Sequence, residues 1–525
     1  MLFNSYQFIF LFLPVTIFVF FRIGRLGHAN AALSWLVLAS FFFYGWWNPV
    51  YLGLILLSII FNYLFGFILS KEITQFPFLK KSMLVLGVAF NIGLIGYFKY
   101  FNFFAVNANA YVGTNFSVEE IILPLAISFF TFQQITYLVD AYQGKTKEYN
   151  FLHYCLFVTF FPQLIAGPIV HHSEMLPQFS KKHIYIFSNR NFTIGLTIFI
   201  IGLFKKVVLA DNVAFYSTPI FDAANDGLIL TFYEAWFGAL AYTFQLYFDF
   251  SGYSDMAIGL ARMFGILLPV NFHSPYKAES IIDFWSRWHI TLSRFLRDYV
   301  YIPMGGSRKG VAHRYINLML TMLLGGLWHG AGWTFVIWGG IHGLYLVINH
   351  AWRVITNIFF PHDREKSTLN TIMARSITFF IVVISWVIFR SDNIDSAFNF
   401  LSSMSGANGI PLPAILKNSL GGSNFSLLGV NFYYSELFNR KYFNPNAAII
   451  WLLGLMLIVN FAPNTQQIMS RYIPALLTTK WKADTLRKNW LKWKPSNVWS
   501  IIISFLAIIS ILSLTQVSEF LYFQF

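Results

Sequence analysis

Apolar residues in this chain occur in long runs that are separated by short polar segments. Runs of roughly 17–25 apolar residues match the hydrocarbon thickness of a bilayer. The pattern predicts membrane helices near residues 5–21, 31–47, 50–69, 83–98, 121–139, 153–170, 191–210, 232–248, 316–329, 332–350, 374–390, 448–462 and 498–517. Several runs are short or are broken by Gly or Pro, so the pattern alone does not fix the number of full crossings.

Composition agrees with this pattern. The 525 residues are 57% hydrophobic and only 11% charged, and the mean hydropathy is +0.58. These values exclude a water-soluble fold of this length and predict an all-α, polytopic integral membrane protein. Nothing after the first run resembles a signal-peptidase site, so we expect that run to remain as a membrane helix. Cys155 is the only cysteine, which excludes an intrachain disulfide.

The basic residues lie mainly in the segments between the runs, and the formal net charge is +14. Such loops are where the positive-inside rule places Lys and Arg, so we expect contacts with anionic lipid head groups and no nucleic-acid partner. The rule predicts that segments 273–314 and 471–494 are cytoplasmic and that the polar segment 391–447 is extracytoplasmic.

The cytoplasmic segment contains a charged stretch with aromatic residues at helical spacing. Positions 281, 284, 285, 288, 292, 295, 296 and 299 are apolar or aromatic, which predicts an amphipathic helix over 281–300. Arg287, Arg294 and Arg297 are then available to lipid head groups or to an anionic ligand. One interpretation is an interfacial anchor. The other is the mouth of a cavity that receives a phosphate-bearing donor, because arginine favours bidentate phosphate contacts.

A histidine lies within a glycine-rich phrase between two apolar runs. His329 is surrounded by Gly325, Gly326, Gly330 and Gly332, and we expect these glycines to disfavour a helical backbone there. An ionisable side chain at membrane depth usually faces a bundle interior or a watery cavity and marks a functional site. The alternative is a close helix crossing with a structural histidine, because small residues are common at such contacts.

Two further polar features interrupt apolar runs. Asp249 and Asp255 could form a catalytic pair or a metal site, but no histidine joins them at useful spacing. We therefore favour structural roles, such as hydrogen bonds to the backbone or a pair with Arg262, and expect no bound metal. Pro162 predicts a kinked or re-entrant segment. No internal repeat supports an inverted-repeat transporter.

Four motifs together resemble a known family. They are Phe-Asp-Phe-Ser-Gly-Tyr-Ser-Asp-Met-Ala at 248–257, Asn-Phe-His-Ser-Pro-Tyr at 271–276, Asp-Phe-Trp-Ser-Arg-Trp-His-Ile-Thr-Leu-Ser at 283–293 and Gly-Gly-Leu-Trp-His-Gly-Ala at 325–331. In order and spacing they resemble the membrane-bound O-acyltransferase family, within it the bacterial branch of alginate O-acetylation membrane subunits. The resemblance extends from residues 43–49 to the aromatic tail at 520–525.

The resemblance implies a single membrane domain over 1–525. It would have about 11 transmembrane helices, with re-entrant segments around a central funnel. His329 matches the family's invariant intramembrane histidine, and His289 matches its partner position. Asp249, Asp255, Asn271, Arg287 and Arg294 match motif positions whose individual roles the resemblance does not assign, and they are candidates for substrate or donor binding.

The activity implied is transfer of acetyl groups from cytoplasmic acetyl-CoA toward an extracytoplasmic polysaccharide such as alginate, in a bacterial inner membrane. Acetyl-CoA would be a donor substrate, and no bound cofactor is expected. Neutral His329 would act as general base on the attacking hydroxyl or would take the acetyl group itself. His289 would orient the thioester or protonate its leaving group. A separate extracytoplasmic O-acetyltransferase is the expected protein partner.

Two other functions fit part of the pattern. A D-alanyl transferase of the teichoic acid type would take its acyl group from a carrier protein. A proton-coupled transporter would also place His329 in a lined cavity. The sequence does not identify the modified polymer.

Overall fold

Nearly every apolar run of the sequence forms a helix in the computed structural model. The structure describes residues 1–70, 77–114, 121–146, 150–359, 367–413, 417, 424–427, 430–435, 445–477, 481, 491–515 and 521. In chain order the α-helices are α1 (Leu13–Arg25), α2 (Ala29–Gly45), α3 (Tyr51–Ser70), α4 (Pro77–Ile95), α5 (Phe101–Val112), α6 (Ile127–Tyr142), α7 (Phe151–Thr159), α8 (Phe161–Leu164), α9 (His172–Phe179), α10 (Asn189–Phe204), α11 (Asp211–Asn225), α12 (Phe232–Met263), α13 (Ile281–Trp285), α14 (Ile290–Leu296), α15 (Val311–His329), α16 (Trp333–Phe359), α17 (Thr368–Arg390), α18 (Ile394–Ser405), α19 (Pro445–Phe461), α20 (Thr465–Ile468) and α21 (Asn497–Leu512).

Short π-helical and 3₁₀ turns extend or connect these helices. The π-helical turns are Phe8–Phe12, Gly96–Tyr100, Lys205–Ala210 and Arg297–Tyr301, and the 3₁₀ turns are Lys182–Tyr185, Pro275–Lys277, Ser470–Tyr472 and Ser513–Thr515. All four π turns are continuous with an α-helix at one end or at both ends, so they make longer helical rods. The rod Asn189–Asn225, for example, contains α10, the turn Lys205–Ala210 and α11.

Within the described residues, five helical stretches are long and apolar enough to cross a membrane. They are Phe8–Arg25, Tyr51–Ser70, Pro77–Val112, Asn189–Asn225 and Thr368–Arg390. Shorter apolar helices occur at Ala29–Gly45, Asn446–Phe461 and Asn497–Leu512. The predicted all-α membrane architecture is confirmed, whereas the count of about 11 crossings stays a prediction. The predicted break at Pro162 is also present, because α7 ends at Thr159 and the short α8 begins at Phe161.

The polar segment 391–447 contains a small sheet that the sequence did not predict. Strands β1 (Ile410–Pro413), β2 (Phe425–Leu427) and β3 (Val430–Ser435) form a sheet in the order β1-β3-β2. β1 runs parallel to β3 and β2 runs antiparallel to it, and Phe432 of β3 is opposite both Ile410 and Phe425. Much of the rest of this segment, and part of the segment 471–494 that was predicted to be cytoplasmic, lie outside the described residues.

The chain divides into two compact units. The first contains residues 1–204, 251–271 and 463–524, and the second contains residues 205–250 and 272–462. In the first unit, Leu69, Leu138 and Ala141 form part of the core where α3, α4 and α6 pack together. In the second unit the core is aromatic, and Trp338 and Trp386 are its largest fully buried side chains. This second core surrounds both histidines that the sequence singled out.

Candidate active site

A close crossing of α15 and α16 positions His329. At Gly326, a Cβ atom would lie 2.2 Å from the carbonyl oxygen of Phe335 and 3.0 Å from Gly339, so only glycine permits this approach. The helix runs without interruption through Gly325 and Gly326 and ends at His329. The expectation that the four glycines disfavour helix was therefore wrong for Gly325 and Gly326, but it holds after His329, where Gly330 is extended and the next helix begins only at Trp333. The role of Gly325 and Gly326 is close packing, which places the histidine at the C-terminal end of α15.

Aromatic rings surround His329. Its imidazole centroid lies 5.0 Å from Trp328, 5.1 Å from Trp338 and 5.2 Å from Phe389, and the residue is only 5% exposed. The rings of Trp338 and Phe389 meet it at 86° and 78°, an edge-to-face arrangement that aromatic groups favour. An imidazole in such apolar walls is shielded from bulk water, which strengthens any electrostatic contact that it makes with a substrate.

His289 occupies a break between two short helices. Its φ of 43° and ψ of 52° are left-handed, and its carbonyl oxygen accepts a hydrogen bond from the amide of Ser293 in the first turn of α14. The prediction of one amphipathic helix over 281–300 was thus wrong at this residue. A left-handed conformation costs a non-glycine residue about 1–3 kcal/mol and persists where the surroundings impose it, often at functional sites. Its complete burial does not fit a side chain that anchors the protein at the membrane surface.

The two histidines lie in the same aromatic cluster. Their ring centroids are 6.4 Å apart, and Trp328 contacts both rings. His289 is completely buried, and Phe250 packs edge-to-face on it with a centroid separation of 4.9 Å. At this separation one small reacting group can lie within hydrogen-bond reach of both imidazoles. The sequence placed these residues 40 positions apart along the chain (329 minus 289), and the fold brings them together.

The resting charge of His289 follows from its burial. His289 belongs to the segment between α12 and α15, outside the helices long enough to span a membrane. Burial lowers its pKa from the usual value, since the charged imidazolium loses its hydration. His289 is therefore neutral at physiological pH and can donate or accept a hydrogen bond, which suits an orienting role.

The three arginines of the predicted amphipathic face have different surroundings. Arg287 Nε donates to Asp283 Oδ2 at 2.8 Å, and its Nη1 donates to the carbonyl oxygen of His273 at 3.3 Å. Arg294 is half-buried in the last turn of α14. Arg297 begins the π-helical turn and pairs with Asp298 at 2.7 Å. Because the helix is interrupted at His289, the side chains of the three arginines do not lie on one helical face.

One of these arginines lines a cavity in the second unit. The cavity measures about 410 Å³, and its polar or charged lining includes Ser293, Arg297, Ser307, Arg314 and His350. Trp285 forms another part of the wall and also belongs to the aromatic cluster, with its ring centroid 5.8 Å from that of Trp338. Arg297 is already paired with Asp298, so an anionic ligand here would share that guanidinium and would also meet Arg314. The sequence pointed to Arg297 but not to Arg314.

Asp249 belongs to a buried ion cluster. Lys206 Nζ lies 2.7 Å from both Asp249 Oδ1 and Asp211 Oδ1, and the side chains of Lys206 and Asp249 are 3% and 1% exposed. Of the two structural roles expected from the sequence, hydrogen bonds to the backbone or an arginine pair, the second was wrong for this contact, because the π-helical turn Lys205–Ala210 supplies a lysine. A buried carboxylate needs such a partner, because an unpaired charge in an apolar interior is very costly.

Asp255 and Asn271 belong to the first unit. Asp255 accepts hydrogen bonds from Thr465 Oγ1 at 2.6 Å and Gln466 Nε2 at 3.3 Å, and Asn271 Nδ2 donates to Ser254 Oγ at 3.4 Å. These neutral partners tie α20 to the end of α12, which favours the structural interpretation of Asp255. Among the described residues, no three His, Cys, Asp or Glu side chains are grouped to hold a metal ion.

A third histidine of the aromatic cluster was missed by sequence reasoning. His342 of α16 is completely buried, its ring lies 4.7 Å from Trp338, and both of its ring nitrogens have partners. Trp285 Nε1 donates to His342 Nδ1 at 3.2 Å, so the neutral ring carries its proton on Nε2 and donates to Ser385 Oγ at 3.0 Å. The sequence feature that could have identified His342 is its position four residues after Trp338, which puts both side chains on the same face of the helix.

The fold is largely helical, and His289, His329 and His342 lie buried in one aromatic cluster. Buried imidazoles can take part in proton transfer away from bulk water. The model of the MBOAT, membrane-bound O-acyltransferase, family matches residues 91–389, more than half of the chain. The chain belongs to the membrane-bound O-acyltransferase family, and the resemblance seen in its motifs is confirmed. It is a membrane acyltransferase.

Curated relatives extend this likeness over the full length. The chain is 43% identical to a peptidoglycan O-acetyltransferase of Helicobacter pylori, over 100% of this chain and 98% of the relative. It is 36% identical to a probable alginate O-acetylase AlgI of Pseudomonas putida, over the whole of both chains. A teichoic acid D-alanyltransferase of Bacillus subtilis is 30% identical, over 50% of this chain and 68% of the relative.

Proposed function

We propose that this protein is an O-acetyltransferase of the bacterial inner membrane that passes acetyl groups from cytoplasmic acetyl-CoA toward an extracytoplasmic glycan. The observation that carries the proposal is the pairing of His289 and His329 in one buried cluster, 6.4 Å apart between ring centroids. Two imidazoles at this distance suit acyl transfer, because one can handle the proton of the attacking hydroxyl while the other contacts the thioester.

In the proposed reaction, neutral His329 accepts the proton of the attacking hydroxyl as the oxygen attacks the thioester carbonyl carbon. A C–O bond forms, the C–S bond breaks, and the released thiolate takes up one proton, so that ester and free thiol result. Neutral His289 donates a hydrogen bond that orients the carbonyl or the departing sulfur. General base catalysis of this kind contributes roughly 10²–10⁴ in rate.

The cavity near Trp285 is the proposed site for the donor's phosphates. Arg297 and Arg314 line it, and Arg314 Nη2 also contacts His350 Nδ1. Phosphate groups at these guanidiniums would place the thioester arm along Trp285, whose ring packs against the cluster that contains Trp338 and His329. The lining thus supports a phosphate-bearing donor over a neutral one.

The acceptor is proposed from the relatives. Those that match the full chain are named for O-acetylation of peptidoglycan or alginate, whereas the D-alanyltransferase covers half of it. We therefore favour acetyl over D-alanyl transfer, to a cell-envelope or secreted glycan. The described residues include no large soluble domain, which fits delivery through a separate extracytoplasmic O-acetyltransferase.

The test is an assay of the purified protein in proteoliposomes with acetyl-labelled acetyl-CoA. We expect thioester loss with appearance of label on protein or glycan, abolished in His329→Gln. A D-alanyl-charged carrier protein, offered in parallel, should not be consumed. Consumption of the carrier but not of acetyl-CoA would support the D-alanyl alternative, and proton flux without loss of either thioester would support a transporter.

A further inference from the structure

The first unit contains a groove that is apolar along its length and basic at one end. It measures about 790 Å³ and is lined by Ile9, Leu13, Pro14, Ile17, Phe18, Phe21, Arg22, Arg25, Phe187, Phe192, Leu196, Phe199 and Met263. The volume lies within the range of about 300–1,000 Å³ that small-molecule sites occupy. Its only charged lining residues are the two arginines in the last turn of α1.

We propose that this groove binds an anionic phospholipid, with the acyl chains along α1 and the phosphate between Arg22 and Arg25. Residues 9, 13, 17, 21 and 25 repeat every four positions and so form one ridge along the helix. From Ile9 to Arg25 this ridge is about 24 Å long, at about 1.5 Å per residue. One leaflet with its head groups is about 20–22 Å thick, half of a bilayer of about 40–45 Å.

The basic end is a patch of uncompensated charge. Within the described part of the chain, the guanidiniums of Arg22 and Arg25 have neither a hydrogen bond nor an ion pair, and both are exposed. The neighbouring segment adds exposed Lys181 and Lys182, and residues 175–192 contain no acidic residue. Gly24 of α1 packs directly on this segment, since a Cβ there would lie 2.4 Å from Tyr185 O.

The apolar groove and the two arginines at its end together favour a lipid with an anionic head group. A zwitterionic lipid would bring a cationic amine near these arginines, whereas an anionic lipid brings only negative charge. Basic residues near a membrane surface each contribute roughly 1 kcal/mol of attraction to anionic lipid, so two of them favour the anionic head group by on the order of tenfold or more. A hydrophobic helix of a partner protein would use the apolar walls but would leave both guanidiniums unpaired.

The experiment measures lipid retained by the purified full-length protein. Protein is reconstituted in vesicles of equimolar phosphatidylglycerol and phosphatidylcholine with identical acyl chains, extracted gently, and analysed by native mass spectrometry. We expect phosphatidylglycerol to be enriched on the wild-type protein by about tenfold. The double variant Arg22→Gln/Arg25→Gln should lose this enrichment, and Arg22→Lys/Arg25→Lys should largely keep it.

Two controls separate this site from general charge and from general lipid contact. Arg308→Gln/Lys309→Gln removes the same charge from another exposed basic loop and should leave the enrichment unchanged. Ile9→Trp narrows the apolar end without changing charge and should lower retention of both lipids, whereas Leu457→Trp, on an exposed position of α19, should not. Equal retention of the two lipids by wild type, or equal loss of enrichment in the control pair, would overturn the proposal.

Discussion

His289 and His342 are both completely buried in the second unit, yet their surroundings differ in kind. His342 sits inside the regular helix α16, and each of its ring nitrogens has a hydrogen-bond partner, Trp285 or Ser385. His289 sits at a helix break with a left-handed backbone, and its ring lies 6.4 Å from that of His329. His342 completes a packing network, whereas His289 is held in a costly backbone conformation beside His329.

This difference is the basis for our proposal that His342 serves packing and His289 serves chemistry. Burial alone does not distinguish them, because both residues have no exposed surface. Backbone strain and the identity of the neighbouring groups do distinguish them, since strain at a functional site is offset by the surrounding structure. The following variants test whether this distinction holds.

The largest effect should be the loss of acetylation when His329 is replaced. His329→Gln keeps some hydrogen-bonding capacity but removes the base, so acetylation should fall by about 10²-fold or more while the membrane-fraction protein level stays normal. The measurement is glycan acetyl content per amount of inserted protein. His313→Gln, an exposed histidine on the same helix α15, is the matched control and should retain activity. Near-normal acetylation in the His329 variant would remove this residue from the mechanism.

Replacing His342 should mainly lower the stability of the folded protein. His342→Ala leaves the Trp285 Nε1–H without its acceptor and opens a small void, which together should cost about 2–4 kcal/mol of folding stability. We expect lower thermal stability in detergent, with acetyl transfer per folded molecule reduced far less than in His329→Gln. Trp285→Phe removes the same hydrogen bond from the other side, so combining the two changes should cost less than their sum. A His342 variant that is stable but inactive would contradict the packing role.

Replacing the arginines of the cavity near Trp285 should have a smaller effect, namely weaker binding of the acetyl donor. Arg297→Gln and Arg314→Gln remove guanidiniums from the wall of the cavity near Trp285, and each should raise the KM for acetyl-CoA by roughly tenfold with little change in kcat, as for lost ground-state binding. Arg308→Gln changes the same charge in an exposed loop and serves as the control. An unchanged KM for acetyl-CoA in both variants would contradict donor binding in this cavity and would favour the interpretation of residues 281–300 as a membrane anchor.

The smallest expected effect is a pH dependence of stability. The pKa of His289 is lowered in the folded protein, whereas in the unfolded chain it is about 6.5. Below pH 6.5 the unfolded state therefore binds more protons, so stability should fall with falling pH by up to about 1.4 kcal/mol per pH unit for this one group. His289→Gln should flatten this part of the profile between pH 6.5 and 5.5. An unchanged slope would show that His289 binds the same number of protons in the folded and unfolded states in this range, and would contradict the lowered pKa.

The sequence predicted most of the helices because apolar runs of membrane length have few other solutions. It singled out His329 from its glycine-rich phrase between two apolar runs, but His289 became an active-site candidate only through motifs of a known family, since spacing alone cannot show that residues 40 positions apart meet. Details that depend on tertiary contacts were missed. The helical backbone at Gly326 reflects its contact with Phe335 and Gly339, and the partner of Asp249 is a lysine supplied by a π-helical turn.

Other misses have the same origin. The break at His289 is invisible to helical periodicity, because the apolar spacing on both sides of it is intact. Arg314 was overlooked because it lies at the start of α15, outside the amphipathic stretch that drew attention to the other arginines. The sheet β1-β3-β2 is built from very short strands within a polar segment, where alternation is too brief to predict a strand.

The central claim is that His289 and His329 act on one reacting centre. The most direct test is a double-mutant cycle, in which kcat/KM for acetyl transfer is measured for His289→Gln, His329→Gln and the double variant. Groups that act as a unit are strongly non-additive, so the double variant should be no more than a few-fold slower than the slower single variant. Losses that multiply would show two independent contributions and would contradict the account.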